Sequence, residues 1–120
     1  MSALTSLPEW KKLSELASAV KDAHMRDWFA QDANRADKMQ LEACGIFLDY
    51  SKNRVNDDAL KGLFDLARAC KLETLRDAMF SGEQINSTEG RAVLHTALRN
   101  FSDRKVLVDG EDVMPEVHAT

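Results

Sequence analysis

The sequence predicts a mainly α-helical fold with one short strand and one small β-hairpin. Three observations support this prediction. Apolar residues recur every three or four positions in several stretches, a β-prone triplet follows Gly45, and an Asp-Gly pair separates two apolar runs near residue 110. The first pattern is typical of helices with one buried face, and the other two are typical of a strand and a tight hairpin turn.

The amino-terminal region is expected to form two helices. Ser6 and Glu9 have the spacing of a capping box, and Pro8 is tolerated in a first helical turn. The helix that follows is predicted to end near residue 20, with an apolar stripe made of Trp10, Leu13, Leu16, Ala17 and Val20. A second, shorter helix is indicated by the spacing of Met25, Trp28 and Phe29.

The middle of the chain is predicted to contain the strand and two more helices. The strand covers residues 46–48 and leads into a turn-like loop. Asn56 is a candidate N-cap for a helix that reaches Cys70, with an apolar face made of Leu60, Leu63, Phe64, Ala67 and Cys70. A further helix over residues 72–80 is expected to stop at Gly82, because glycine suits a left-handed C-cap.

Residues 82–100 are predicted to enter a helix after a Thr-Glu-Gly-Arg start. Its apolar stripe would consist of Leu94, Ala97, Leu98 and Phe101. Arg91, His95 and Arg99 would form an adjacent basic stripe. Such a stripe could bind a phosphate or a carboxylate, but it could equally form an ion-pair seam with another helix or subunit. The second interpretation is favoured, because like charges four residues apart repel in an isolated helix.

The carboxyl-terminal region is predicted to form the hairpin and then to begin a helix. Asp109 and Gly110 accept the positive φ values of a type I′ turn. Residues 114–120 resemble the first turn of a new helix, with little length left to bury a face. This pattern favours a truncated chain, so that residues 1–120 would be a single segment of a longer protein; the alternative is a frayed tail.

Composition and motifs exclude several function classes. A net charge of −4 offers no basic field for nucleic acid, no apolar run approaches the length of a membrane span, and no secretion signal is evident, so a cytoplasmic location is expected. Cys44 and Cys70 are expected to be reduced, half-buried residues rather than metal ligands. We expect no metal, no organic cofactor and no catalytic residue in this chain, and we read His24 as a surface or capping residue.

Three motifs then resemble the glucose-6-phosphate isomerase family in order and spacing: "LDYSKNRV", "MFSGEQINSTEGRAVLHTALRN" and "VLVDGEDVMPEV". The resemblance covers nearly all 120 positions and is most specific from Leu48 to Val117. It departs from the family mainly in the loop "NFSDRKVLVDG". It implies that the chain is the amino-terminal part of a larger three-layer α/β enzyme of the sugar-isomerase type, which forms a homodimer.

The resemblance also implies an activity, namely the interconversion of glucose 6-phosphate and fructose 6-phosphate without metal or cofactor. A histidine would open the sugar ring and a glutamate would move a proton through an enediolate, but the family carries these motifs further along its chain. The 120 residues alone are therefore expected to be inactive. Arg91 is the first choice for a contact with the anionic substrate region. The alternative function is a free-standing helical module that docks through the apolar face of Leu60, Leu63, Phe64 and Ala67.

Overall fold

The computed structural model describes residues 4–119, which cluster into two compact units, one ending at Ala69 and the other beginning at Cys70. About half of the described residues are helical and the strands form two small antiparallel pairs, so the mainly α-helical prediction is confirmed. None of the helices between residues 4 and 119 combines the length and apolarity needed to cross a bilayer. The expectation that the chain has no secretion signal depends partly on residues 1–3, which lie outside the described residues.

The first unit contains four helices and one hairpin. A 3₁₀ turn at Leu4–Ser6 comes first. The helices are α1 (Pro8–Val20), α2 (Met25–Gln31), α3 (Arg35–Lys38) and α4 (Asp57–Ala69). Between α3 and α4 lie the strands β1 (Gln40–Ala43) and β2 (Ile46–Asp49).

Helix α1 begins one residue later than the capping box predicts. The N-cap residue is Leu7, whose side chain makes no capping hydrogen bond, and Pro8 occupies the first helical position. The predicted box between Ser6 and Glu9 is therefore wrong, although the predicted end near residue 20 is right. Proline at this position costs no hydrogen bond, because the first N–H groups of a helix lack intrahelical partners.

Helices α1 and α4 pack together at a glycine. A Cβ atom added to Gly62 would lie 2.8 Å from Leu13 Cδ1 and 3.2 Å from Leu16 Cδ1, so a larger residue here would require both leucine side chains to shift. Ala59 is buried, whereas Leu63 and Phe64 of the predicted apolar face stay largely exposed. The helix is thus confirmed, but the residues it buries are small ones on a neighbouring stripe.

Strands β1 and β2 pair with Leu41 opposite Leu48 and with Ala43 opposite Ile46. Cys44 and Gly45 connect the strands, with φ values of 53° and 73°. Two positive φ values in a two-residue loop are the signature of a type I′ hairpin. The sequence analysis identified β2 but missed β1, because Gln40–Ala43 contains no β-branched or aromatic residue.

Arg35 is the most buried charged residue described, with 4% of its surface exposed. Its Nε donates to the carbonyl oxygen of Ser51 at 2.9 Å. Its Nη2 donates to the carbonyl oxygens of Asn53 and Val55 at 3.1 and 2.8 Å. The guanidinium therefore fixes the backbone of the loop at residues 50–56, which runs from β2 to α4.

Two aromatic rings of α2 complete the surroundings of Arg35. The guanidinium carbon lies 5.0 Å from the ring centroid of Trp28 and 5.7 Å from that of Phe29. Both distances are typical of cation–π contacts. The short helix α2, predicted from these same rings, thus supplies part of the site that holds Arg35.

The same loop fixes the ends of two helices. Arg54 Nη2 donates to the carbonyl oxygens of Val20, Lys21 and Ala23 at 3.1, 2.7 and 3.1 Å, and so caps the end of α1. Asn56 Oδ1 accepts from the N–H of Ala59 at 2.9 Å, which confirms the predicted N-cap of α4. At the start of the loop, hydrogen bonds from Ser51 lower the pKa of the Asp49 carboxyl below its ordinary value.

The second unit contains α5 (Leu72–Ser81), β3 (Leu107–Val108), β4 (Glu111–Asp112) and α6 (Met114–Ala119). Asp109 and Gly110 join β3 to β4 with φ values of 52° and 87°, as predicted for the hairpin. The core consists of Ala97, Val106 and Met114, with Leu94, Val113 and Val117 packed against it. Helix α6 therefore buries a face despite its six residues, contrary to expectation.

Helix α5 ends at Gly82 in the left-handed conformation, with φ 84° and ψ 14°. The N–H of Gly82 donates to the carbonyl oxygens of Ala78 and Met79. The N–H of Glu83 also donates to the Ala78 oxygen, at 3.0 Å. This is the predicted C-cap. A Cβ at Gly82 would lie only 2.3 Å from the backbone oxygen of Leu107, so the glycine also lets β3 approach the helix end.

Replacing Gly82 by alanine is expected to lower the free energy of unfolding by about 2–4 kcal/mol, because the positive φ and the backbone clash add together. The matched control is Gly110→Ala, which has a similar φ of 87° but no neighbouring atom within 4 Å of the added Cβ. The control substitution should lower the free energy of unfolding by only about 1 kcal/mol. Urea denaturation followed by circular dichroism measures both, and equal losses would refute the close approach.

Candidate functional site

Residues 82–100 do not form the predicted helix. Asn86 and Arg91 form an antiparallel bridge around the turn at residues 87–90, and the chain stays irregular until a 3₁₀ turn at Ala97–Arg99. Asn86 Oδ1 accepts from the Thr88 hydroxyl at 2.8 Å and from the N–H of Glu89 at 3.3 Å. Side-chain bonds of this kind compete with a helical backbone, which explains the failed prediction.

The apolar stripe of the predicted helix is only half correct. Ala97 is fully buried, and Leu94 packs against the same core. Leu98 and Phe101 instead remain exposed, at 61% and 97%. The spacing identified the core residues at the start of the stripe, Leu94 and Ala97, but predicted the wrong local conformation.

Arg91 is engaged within its own turn. Its Nε donates to Glu89 Oε2 at 2.6 Å, and its Nη2 forms a second short contact with the same oxygen. Both side chains are more than half exposed. The carboxylate of Glu89 thus already compensates the charge of Arg91 within the turn.

His95 and Arg99 lie together beside a shallow depression whose other walls are Phe80 and Thr96. Arg99 Nη1 donates to the backbone oxygen of His95 at 3.0 Å. Among residues 4–119, no carboxylate forms an ion pair with Arg99. Of the predicted basic stripe, the structure therefore brings His95 and Arg99 together but leaves Arg91 in a separate turn.

A second depression adjoins Arg99 and includes a cation that the sequence analysis did not single out, Arg104. It is lined by Phe80, Thr96, Arg99, Asn100, Ser102, Arg104 and Val106. Asn100 shapes its rim, because its Nδ2 donates to the backbone oxygen of Arg104 at 2.7 Å and its Oδ1 accepts from the Ser102 hydroxyl at 2.6 Å. No sequence pattern joins Arg99 to Arg104, since a loop rather than a helix connects them.

The chemistry of this surface is cationic and open rather than catalytic. Two arginines, a neighbouring histidine and an apolar wall line these depressions, a residue set that suits recognition of a carboxylate or phosphate group. The buried polar residues described are Arg35 and Ser51, and both have structural hydrogen bonds. Within residues 4–119, no three His, Cys, Asp or Glu side chains lie close enough to bind a metal ion together.

The remaining candidate residues have structural positions. His24 is the N-cap of α2, where its Nδ1 accepts from the N–H of Arg26 at 3.2 Å, as the capping interpretation predicts. Cys44 and Cys70 are free, but both are exposed rather than half-buried. Cys44 is exposed because it occupies the turn between β1 and β2.

Comparison with known proteins places these features in a family. Residues 49–120 match the model of the family described as "Phosphoglucose isomerase". The chain is 92% identical over 120 residues to the glucose-6-phosphate isomerase of Alteromonas mediterranea, and 61% identical over 119 residues to that of Pseudoalteromonas atlantica. It is 52% identical over 118 residues to the glucose-6-phosphate isomerase of Deinococcus radiodurans.

These alignments cover 98–100% of this chain but only 22% of each relative. The chain thus spans about a fifth of the length of the proteins it matches. The matched region includes the loop held by Arg35, the left-handed C-cap at Gly82 and the bridge between Asn86 and Arg91. On the family match and on identity along its whole length, the chain belongs to the phosphoglucose isomerase family.

Proposed function

We propose that this chain is the amino-terminal segment of an enzyme that interconverts glucose 6-phosphate and fructose 6-phosphate. The observation that carries the proposal is its 92% identity, over all 120 residues, to a protein named glucose-6-phosphate isomerase. Because the chain spans 22% of that relative, we assign it a supporting role within a longer polypeptide. The single segment over residues 1–120 then ends before the first sugar-isomerase domain is complete.

The proposed reaction requires groups that open the sugar ring, move a proton between C1 and C2, and stabilise an enediolate. Catalytic acids and bases commonly have their pKa values shifted by burial and by charged neighbours. No carboxylate or imidazole is buried among residues 4–119, and His24 already caps a helix. We therefore assign the acid and base to the part of the polypeptide outside this chain.

We extend the proposal to the state of the complete protein. As the family resemblance implies, it would act as a homodimer without metal or organic cofactor. It would work in the cytoplasm, where phosphorylated sugars are metabolised. General acid–base groups suffice for an aldose–ketose isomerisation through an enediolate, so the chemistry requires no redox or metal centre.

The purified 120-residue chain should show no isomerisation of fructose 6-phosphate above background. The measurement is a coupled assay in which a dehydrogenase oxidises the glucose 6-phosphate formed, with both proteins expressed in a host that lacks its own isomerase. The control is the complete protein encoded by the same reading frame, which should turn the substrate over. Turnover by the 120 residues alone, or none by the complete protein, would refute the proposal.

We propose that Arg99, with His95 beside it, binds a carboxylate of another part of the complete enzyme. The support is geometric, because Arg99 lines two open depressions and has no acidic partner among the described residues. Arg91 is a weaker candidate than the sequence analysis expected, since Glu89 already neutralises it. This proposal favours the interface interpretation of the three basic residues over a substrate-phosphate site.

Arg99→Ala in the complete protein should lower its melting temperature by about 2 °C, because a carboxylate at the interface would lose its partner at a cost of about 2–3 kcal/mol. The KM for fructose 6-phosphate should stay within about twofold, since the substrate does not touch this side chain. Arg91→Ala is the matched control and should change the stability by less than about 1 kcal/mol, as for other exposed ion pairs. A large increase in KM with an unchanged melting temperature would show instead that Arg99 contacts substrate.

A further inference from the structure

The turn between β3 and β4 contains the dipeptide in which aspartate rearranges most readily. Asp109 and Gly110 form the whole loop of this hairpin, and both are exposed. Glycine has no side chain to shield its backbone nitrogen, so this nitrogen can approach the carboxyl carbon of the preceding residue. A Cβ added to Gly110 would meet no atom within 4 Å beyond its chain neighbours, so the space beside Gly110 is open.

The side chain of Gln84 restrains the carboxylate of Asp109. Its Nε2 donates to Asp109 Oδ1 at 3.0 Å and to Oδ2 at 3.1 Å. One amide group from a residue 25 positions away therefore holds both carboxylate oxygens. Both side chains are exposed, so water competes with these hydrogen bonds and the restraint is modest.

The backbone brings Gln84 to this turn through the close approach at Gly82. The carbonyl oxygen of Leu107 lies 2.3 Å from the position of a Cβ at residue 82, so β3 begins beside the end of α5. The N–H of Glu83 donates to the carbonyl oxygen of Ala78 at 3.0 Å and fixes the chain as it leaves the helix. Gln84 follows directly, and all of these residues belong to the second unit.

We propose that Asp109 is a site of spontaneous conversion to isoaspartate and that Gln84 slows this conversion in the folded protein. In the first step, the backbone nitrogen of Gly110 attacks Cγ of the protonated Asp109 carboxyl group. A bond forms between this nitrogen and Cγ, the C–OH bond of the carboxyl group breaks, and the hydroxyl group leaves with the amide proton as water. Water then opens the cyclic imide. Attack at Cγ restores aspartate, whereas attack at the backbone carbonyl carbon of residue 109 leaves the main chain running through Cβ and Cγ.

The hydrogen bonds from Gln84 oppose the first step. The attack converts the planar carboxyl carbon into a tetrahedral centre, which moves both oxygens out of the positions in which Gln84 holds them. The product matters for the fold, because an isoaspartyl residue adds one carbon atom to the main chain of a turn whose φ values are 52° and 87°. Conversion is therefore expected to loosen the hairpin that leads to Met114 of the core.

The test compares Gln84→Met with Glu83→Met in the complete protein. Methionine is similar in length to glutamine but cannot donate a hydrogen bond to Asp109. Glu83→Met is the matched control, because it removes a bond from the Ser81 hydroxyl, at 3.2 Å, in the same loop and leaves the bonds to Asp109 intact. Each protein is incubated at neutral pH, both folded and in denaturant. Isoaspartate at position 109 is quantified by mass spectrometry after digestion with a protease that cleaves at aspartate but not at isoaspartate.

Isoaspartate should accumulate at position 109 of the original protein, and Gln84→Met should raise its rate of formation in the folded state about three- to tenfold, the effect of one exposed hydrogen bond. Glu83→Met should leave that rate unchanged. In denaturant all three proteins should react at the same rate, because Gln84 no longer reaches the turn.

Three results would overturn the proposal: no isoaspartate at position 109, equal folded-state rates for the original protein and Gln84→Met, or a difference between them that persists in denaturant. Equal acceleration by Glu83→Met would also overturn it, because loosening of the loop would then control the rate. None of these results depends on isomerase activity, so the proposed function is tested separately.

Discussion

The first unit depends on the hydrogen bonds that the guanidinium of Arg35 donates to one loop. A charged side chain with 4% of its surface exposed is stable only when its donors are satisfied, and Arg35 satisfies them with three backbone carbonyl oxygens of one loop. No carboxylate among the described residues forms an ion pair with it, and the rings of Trp28 and Phe29 contribute the remaining electrostatic contact. These hydrogen bonds hold the loop backbone in one conformation, which its own turn-forming residues would not do alone.

That loop then determines how the neighbouring helices begin and end. Arg54 donates from this loop to the last carbonyl oxygens of α1, and Asn56 caps α4 at the loop's other end. The two capped helices also pack against each other, where Gly62 of α4 lies close to Leu13 and Leu16 of α1. The motif "LDYSKNRV" largely coincides with this loop, so a segment that identifies the family also organises the unit.

Features fixed by neighbouring residues could be predicted from the sequence, whereas those fixed by distant ones could not. The cap at Asn56, the left-handed Gly82 and the Asp109-Gly110 turn each depend on a few adjacent residues. Arg35 reads as an ordinary polar residue, because its partners lie 16 to 20 positions away. The helix expected after Gly90 fails because Asn86 closes a turn first, and Arg104 joins Arg99 only through the loop between them.

A double-mutant cycle between Arg35 and Arg54 tests the central claim most directly. The free energy of unfolding is measured for the original chain, Arg35→Met, Arg54→Met and the double variant by urea denaturation. If Arg35 holds the loop from which Arg54 caps α1, the double variant should lose at least about 1 kcal/mol less than the sum of the single losses. Losses that add to within about 0.5 kcal/mol would contradict the account, because the two arginines would then stabilise the unit independently.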